Sequence, residues 1–266
     1  MDIKTVKDDL GISRESVGQE YCDKHDKEYH LFKTRVGVSG GCPDCFKEQI
    51  AAEDREIVKK AVKKSEHWQT PYINLFEHVS SDLKDAKVNN YEASNESQKQ
   101  AKKAIIKYIK TFDGERSLVL SGEPGLGKSH LSYAITKALR QNGYKTLFIK
   151  STEILDLIKS TYQTGETLTE SRIFEVIKTI DCLVVDDLGS EYSKPTLDGN
   201  ESWASDILYK VFDGRLNKST VVTTNYAHQD LVDKYGNNGS RIISRMLDRA
   251  DRMRLEGDDY RIHNRK

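Results

Sequence analysis

The sequence predicts an α/β protein: a three-layer α/β/α domain on a parallel sheet, preceded by a small zinc-binding N-terminal domain with a helix. Three observations carry this expectation. After residue 95, short apolar runs alternate with amphipathic segments. One apolar run leads into the glycine-rich loop Gly122–Ser129, which opens a helical segment. Two pairs of metal-ligating residues stand in the first fifth of the chain.

Each element follows from local pattern. Residues 1 to about 50 are rich in Gly, Lys and Asp and lack long apolar runs, so something other than a core must hold them. From Cys45 to Trp68 a helix is expected, with Phe46, Ile50, Ile57, Ala61 and Val62 on its apolar side and Pro71 ending it. A short apolar patch at Tyr72–Phe76 precedes a polar run through Asn89, Asn90, Ser94 and Asn95. The expected division is therefore a small N-terminal domain over 1–70, a linker over 71–95 and a larger α/β domain over 96–266.

Within the last part, Ala101, Ala104, Ile105, Tyr108 and Ile109 mark an amphipathic helix. Strands are expected at Ser117–Ser121, Thr146–Ile149, Cys182–Asp186 and Thr220–Thr224. Helices are expected at 127–142, 152–159 (opening at Ser151), 169–179 and 203–216. Two helical stretches and a short hairpin around Gly257 complete the chain. Runs such as Leu118-Val119-Leu120 and Leu183-Val184-Val185 suit strands covered on both faces.

Composition excludes several classes. Of the 266 residues, 42 are Lys or Arg and 42 are Asp or Glu, so a histone-like protein held to DNA by bulk charge is not expected. No apolar stretch approaches the roughly 18–20 residues of a membrane span. Met1–Leu10 is polar and mixes acids with lysines, unlike a signal or transit peptide. The expected location is the cytoplasm, with no membrane partner. Four cysteines are too few for a disulfide scaffold in a chain of this length, and Cys182, inside an apolar run, reads as an inert strand residue.

Gly122-Glu123-Pro124-Gly125-Leu126-Gly127-Lys128-Ser129 fits G-x-x-x-x-G-K-[ST], with a strand before it and a helix after it. Glycines let successive backbone N–H groups face a polyphosphate, and the helix start adds its positive end. Lys128 is placed to reach the β- and γ-phosphates of ATP, and the Ser129 hydroxyl to ligate Mg²⁺. His130 follows at the helix start and is counted with the cofactor-binding residues. The strand Leu183-Val184-Val185 ends in Asp186-Asp187. Asp186 is expected to hold Mg²⁺, and Asp187 to act as the base that polarises attacking water. Aspartate is one methylene shorter than glutamate, so slow hydrolysis is expected.

Val221-Val222-Thr223-Thr224-Asn225 is another strand with a polar end. Asn225 could orient the attacking water or simply cap a helix over 227–235. Arg241, Arg245 and Arg249 fall at i, i+4 and i+8 of a helical pattern. They read either as a solvated face or as guanidinium groups that stabilise charge in a neighbouring subunit. Arg261 is a candidate to touch phosphate within its own subunit.

Cys22-Asp-Lys-His25 and Cys42-Pro-Asp-Cys45, separated by residues 26 to 41, fall in the zinc-ribbon spacing window. Zinc binding would turn metal affinity into folding energy for an apolar-poor segment. His30 is the alternative to His25 as fourth ligand.

From about residue 85 to 266 the sequence resembles AAA+ ATPases, more narrowly the DnaC/DnaI-type helicase loaders and the related IstB-type transposition ATPases. The carriers are Asn90-Tyr91-Glu92, Gly122–Ser129, Val184–Gly189, Thr223-Thr224-Asn225, Arg241–Arg249 and Asp259-Tyr260-Arg261. The resemblance implies sensor 1 at Asn225, an arginine finger at Arg245 with Arg241 as its alternative, and sensor 2 at Arg261. It also implies self-association through that finger, assembly on single-stranded DNA, and delivery of a hexameric DnaB-type replicative helicase. DnaI-type loaders grip the helicase through a zinc domain. This sequence departs from them in His25 at the second ligand position. A bacteriophage origin fits a small loader of this layout. Lys159, Tyr162 and Arg172 are candidates for DNA contact. The alternatives are an IstB-type helper of a transposase and an adaptor in which ATP is only a structural ligand.

Overall fold

The computed structural model describes residues 16–34, 37–66, 68–163, 167–192 and 202–263, with side chains at all of these except 34, 55–66, 261 and 263. The chain divides into two units, Met1–Trp68 and Gln69–Lys266.

In the first unit, β1 (Ser16–Cys22), β2 (Lys27–Thr34) and β3 (Gly37–Ser39) form an antiparallel meander, followed by α1 (Pro43–Glu66). The β1–β2 register closes at Cys22 opposite Lys27, so the intervening turn carries His25 and Asp26. Asp26 takes a left-handed φ of 51°, which Asp tolerates better than most residues. Among the described residues of this unit, Cys42 alone is buried. The helix does not bury the expected apolar face: Phe46 is 63% and Ile50 45% exposed, because the small sheet supplies no second apolar layer. Ile57, Ala61 and Val62 lie outside the described side chains.

The second unit holds five parallel strands: β4 (Ser117–Ser121), β5 (Thr146–Lys150), β6 (Cys182–Leu188), β7 (Ser219–Thr224) and β8 (Ala250–Arg254). Their order is β5-β6-β7-β4-β8. Leu118, Leu120, Leu147, Phe148, Leu183, Val184, Val221 and Val222 are fully buried, as expected of strands covered on both faces. Among the described residues, besides short 3-10 turns at Ser81–Leu83 and Gly236–Asn238, there are ten α-helices. Those of this unit are α2 (Thr70–Phe76), α3 (Glu96–Lys110), α4 (Lys128–Gln141), α5 (Ser151–Ser160), α6 (Glu170–Thr179), α7 (Trp203–Asp213), α8 (His228–Tyr235), α9 (Gly239–Met246) and α10 (Tyr260–His263).

Local chemistry sets several helix starts. The Asn95, Thr169 and Ser202 side chains accept from backbone N–H groups of Gln98, Arg172 and Ser205, at 3.0, 3.3 and 3.2 Å. Pro71 does not end the first helix; it sits in the first turn of α2, where its missing N–H costs nothing. The segment expected as a linker is packed into this unit: Ile73, Phe76, Leu83, Ala86, Val88 and Tyr91 are all buried. The expected terminal hairpin is replaced by β8, which pairs in parallel with β4 at the sheet edge. Parallel pairing follows because α8 and α9 return the chain to the opposite end of the sheet before β8 begins.

Candidate functional site

The phosphate loop joins β4 to α4. Gly127, with φ +78°, precedes the helix, and no side chain caps its first turn. The first amides of α4 are thus left for an anion. A Cβ on Gly127 would come within 2.6 Å of the Tyr91 ring. Gly125 has φ +80°, and a Cβ there would overlap the Asp259 carboxylate. The loop is clamped from both flanks: Tyr91 donates its hydroxyl to Leu126 O at 2.9 Å, and the Tyr260 amide donates to Gly125 O at 3.2 Å. Lys128, 7% exposed, donates from Nζ to Gly122 O and Glu123 O at 2.7 Å each. Its ammonium therefore sits within the loop that encloses it, where polyphosphate oxygens would replace those carbonyls.

Sheet order brings the other chemistry here. β7 lies between β4 and β6, so the ends of β6 and β7 face the loop that follows β4. At the end of β6 the pairing with β7 slips between Val185 and Leu188. This bulge, with Asp187 at φ +56°, separates the two acids. Asp186 is 2% exposed and accepts from Thr223 Oγ1 at 2.7 Å and from the Ser129 hydroxyl. Burial raises its carboxyl above the ordinary value, opposed by those two hydrogen bonds. A buried carboxylate beside a hydroxyl at the phosphate loop fits a Mg²⁺ ligand pair.

Asp187 is held differently. Its amide donates to Thr223 Oγ1 at 2.8 Å, and its carboxylate accepts from Asn225 Nδ2 at 3.1 Å. The Ser151 hydroxyl donates to its carbonyl at 3.0 Å. Asn225 therefore does not cap α8, whose N-cap is Ala227. Thr223, which the sequence marks only as part of the strand leading to Asn225, ties both acids to β7.

Other expected residues are placed elsewhere. His130 Nε2 lies 3.0 Å from Lys87 O and Asn90 Oδ1, bracing the segment before α3. Arg245 donates from Nε to Asp213 Oδ1 at 3.0 Å, and Asp213 holds its guanidinium above its usual value. Arg241 is exposed and makes no ion pair among the described residues. The three arginines do not share one helix face: α9 ends at Met246, and Arg249, at φ +49°, pairs with Glu115 beyond it. Arg261 lies in α10, with its side chain outside the described set.

Tyr162 and Trp203 form an edge-to-face pair at 6.3 Å, with Lys159 5.3 Å above the Trp203 ring. Arg172 stands apart from that pair, over Tyr72.

In the first unit, the ligand atoms of Cys22, His25, Cys42 and Cys45 lie within 4.8 Å of one another. Cys22 Sγ is 3.6 Å from Cys45 Sγ, and His25 Nδ1 is 3.6, 3.6 and 3.3 Å from Cys22, Cys42 and Cys45. Bonds of about 2.0–2.3 Å to a central zinc give tetrahedral edges close to these. His25 Nε2 meets Glu48 Oε1 at 3.1 Å, the outer carboxylate that metal-bound imidazoles commonly have. The hydrogen bond with His25 brings the Cys22 thiol down to about 6, toward the ligating thiolate. His30 instead meets Ser16 and Gln19. Glu48, three residues after Cys45 on α1, was not singled out in the sequence.

Comparison with known proteins gives the family and the fold. The family profile described as IstB-like ATP binding protein matches residues 60–266. The replicative helicase loader DnaC of Buchnera aphidicola (subsp. Acyrthosiphon pisum, strain APS) is 27% identical over 181 residues, covering 65% of this chain and 68% of that protein. A crystal structure of the DnaC helicase loader superposes with a TM-score of 0.57 at 24% identity, covering 66% of this chain and 100% of that one. A DnaI crystal structure gives 0.56 at 18% identity, covering 68% and 93%. The second unit thus has an AAA+ fold, with a phosphate loop opposite an acidic strand end. The chain belongs to the family of IstB-like ATP binding proteins.

Proposed function

We propose that this protein is an ATP-dependent loader that delivers a hexameric DnaB-type replicative helicase onto single-stranded DNA. The observation that carries the reading is the meeting of Lys128, Ser129 and Asp186 at one loop with Asp187 held by Asn225, in a chain related to proteins named as replicative helicase loaders. In this reading the loop and Lys128 grip the triphosphate, and Ser129 and Asp186 hold Mg²⁺. Asp187 polarises water that Asn225 orients. Turnover is slow and suits a switch. Self-association places Arg245 in the next subunit's site once it leaves Asp213, and Arg261 contacts phosphate in its own subunit. Zinc on Cys22, His25, Cys42 and Cys45 holds the unit that grips the helicase. Single-stranded DNA meets the Lys159–Tyr162–Trp203 cluster, where rings and a cation suit base stacking.

The test uses the full chain. Immobilised protein with ATP should retain a DnaB-type helicase, and Cys42→Ser should lose it. No retention of any host helicase defeats the reading. The family description favours one second reading, an IstB-type ATPase assisting a transposase. Retention of a transposase in place of the helicase would establish it.

A further inference from the structure

One face of the nucleotide-binding unit gathers cations that its own acids do not pair. On α3 the side chains of Lys99, Lys103, Lys107 and Lys110 are exposed. Spacings of four, four and three place them in one stripe, about 16 Å long at 1.5 Å per residue. Beside it lies a groove of about 420 Å³ between α3 and β8. Exposed Arg116, Arg252 and Arg254 stand along it, and Ala104, Tyr108 and Met253 form its less exposed lining. Asp251 is the one acid in that lining.

Two features separate this face from an ordinary solvated helix. Lysines at i and i+4 repel, yet the stripe contains two such pairs, 99/103 and 103/107. Several exposed cations elsewhere in the unit are matched, as in Lys210–Glu170, Arg172–Glu175 and Arg249–Glu115, and unmatched ones such as Lys178 and Arg241 stand on separate helices. Among the described residues, Lys99, Lys103, Lys107, Lys110, Arg116 and Arg252 have no ion pair and no side-chain hydrogen bond. Arg254 meets only Glu256, at 4.0 Å.

We propose that the α3–β8 face binds the phosphodiester backbone of nucleic acid. A straight row of cations at intervals of about 5–6 Å suits regularly repeating phosphates better than the irregular acids of a protein surface. No large aromatic side chain is exposed on this face, so it grips charge and does not stack bases. Binding here is insensitive to sequence and steeply dependent on salt. The inference rests on the nucleic-acid part of the reading above and adds a second contact surface, which does not include Tyr162 and ends at Arg254, opposite Ser121.

The experiment is fluorescence anisotropy of the full chain with labelled single-stranded and duplex oligonucleotides over a salt series. Lys103→Gln with Lys107→Gln should lower affinity by roughly 10-fold and reduce the salt slope by about 1.4 on single strands or about 1.8 on duplex. The size of the change separates the two forms of nucleic acid. ATP affinity should be unchanged, which reports an intact fold. A variant with the wild-type slope and affinity overturns the inference. So does polyglutamate binding to this face where no oligonucleotide binds, because the partner is then an acidic protein. Helicase retention by the same variant is measured in parallel, so failure here is distinguishable from failure of the loader reading.

Discussion

Asn225 at the end of β7 donates to the carboxylate of Asp187 at the end of β6, 3.1 Å away across two neighbouring strands. The contact fixes the direction of a carboxylate whose own backbone lies in the left-handed region. Asp187→Asn keeps a residue that tolerates this φ and removes the base. Turnover of ATP should fall about 10²-fold, with ATP affinity and Tm near wild type. Single-turnover kinetics and calorimetry check both parts. A hydrolysis rate equal to wild type would remove Asp187 from the chemistry.

Thr223 serves both acids with one hydroxyl, accepting from the Asp187 amide and donating to Asp186. Thr223→Val keeps the shape and strips both bonds. The half-buried Asp187 amide loses its acceptor, at a cost of about 1 kcal/mol. Chemical denaturation should show that loss, and Mg²⁺-dependent ATP binding should weaken. Thr223→Ser should restore both.

Asp186 gives a pH dependence with a definite sign. Burial raises its folded-state pKa above the unfolded value, so between the two the folded protein binds more protons. Stability from this group is full below the unfolded pKa and is lost as pH rises through the folded one. In nucleotide-free, metal-free protein at neutral pH, Asp186→Asn should therefore have the higher Tm. The gap should narrow as pH falls through the acid range. ATP·Mg²⁺ binding should be lost in the same variant. A Tm lower than wild type at neutral pH would contradict the burial argument.

The thiolate cluster should hold one zinc. Cys42→Ser should abolish binding and melt the β1–β3 sheet, which has no core of its own to fall back on. Glu48→Gln should keep the stoichiometry and weaken affinity about 10–100-fold, since Glu48 orients His25 and pairs with Lys24 without being a ligand itself. Competition with a chromophoric chelator measures both. Full metal retention by Cys42→Ser would eliminate the site.

Arg245 acts between subunits in the proposed reading. Arg245→Ala and Lys128→Ala proteins should each lack turnover. Mixed together, they should regain part of it, because an intact finger then meets an intact loop. No recovery at concentrations that support assembly would assign Arg245 a purely structural pairing with Asp213.

The sequence alone determined much of this protein, because the patterns concerned are local. Gly122–Ser129 needs only a strand before it and a helix after it, Cys22–His25 spans a tight turn, and Cys42–Cys45 spans the first turn of α1. The buried runs 118–120 and 183–185 are continuous because both faces of a parallel sheet are covered. Other features depended on which strands became neighbours. Nothing within 219–225 says that β7 inserts between β4 and β6, yet that order alone brings Thr223 and Asn225 to Asp186 and Asp187. The edge position of β8 was equally invisible, since Ala250–Arg254 is polar and reads as a hairpin arm. Helical spacing predicted an apolar face through Phe46 and Ile50, but burial needs a partner surface, and the small sheet offers none. Residue type and spacing thus set the chemistry each segment carries, and sheet order, a long-range property of the chain, decided which chemistries meet.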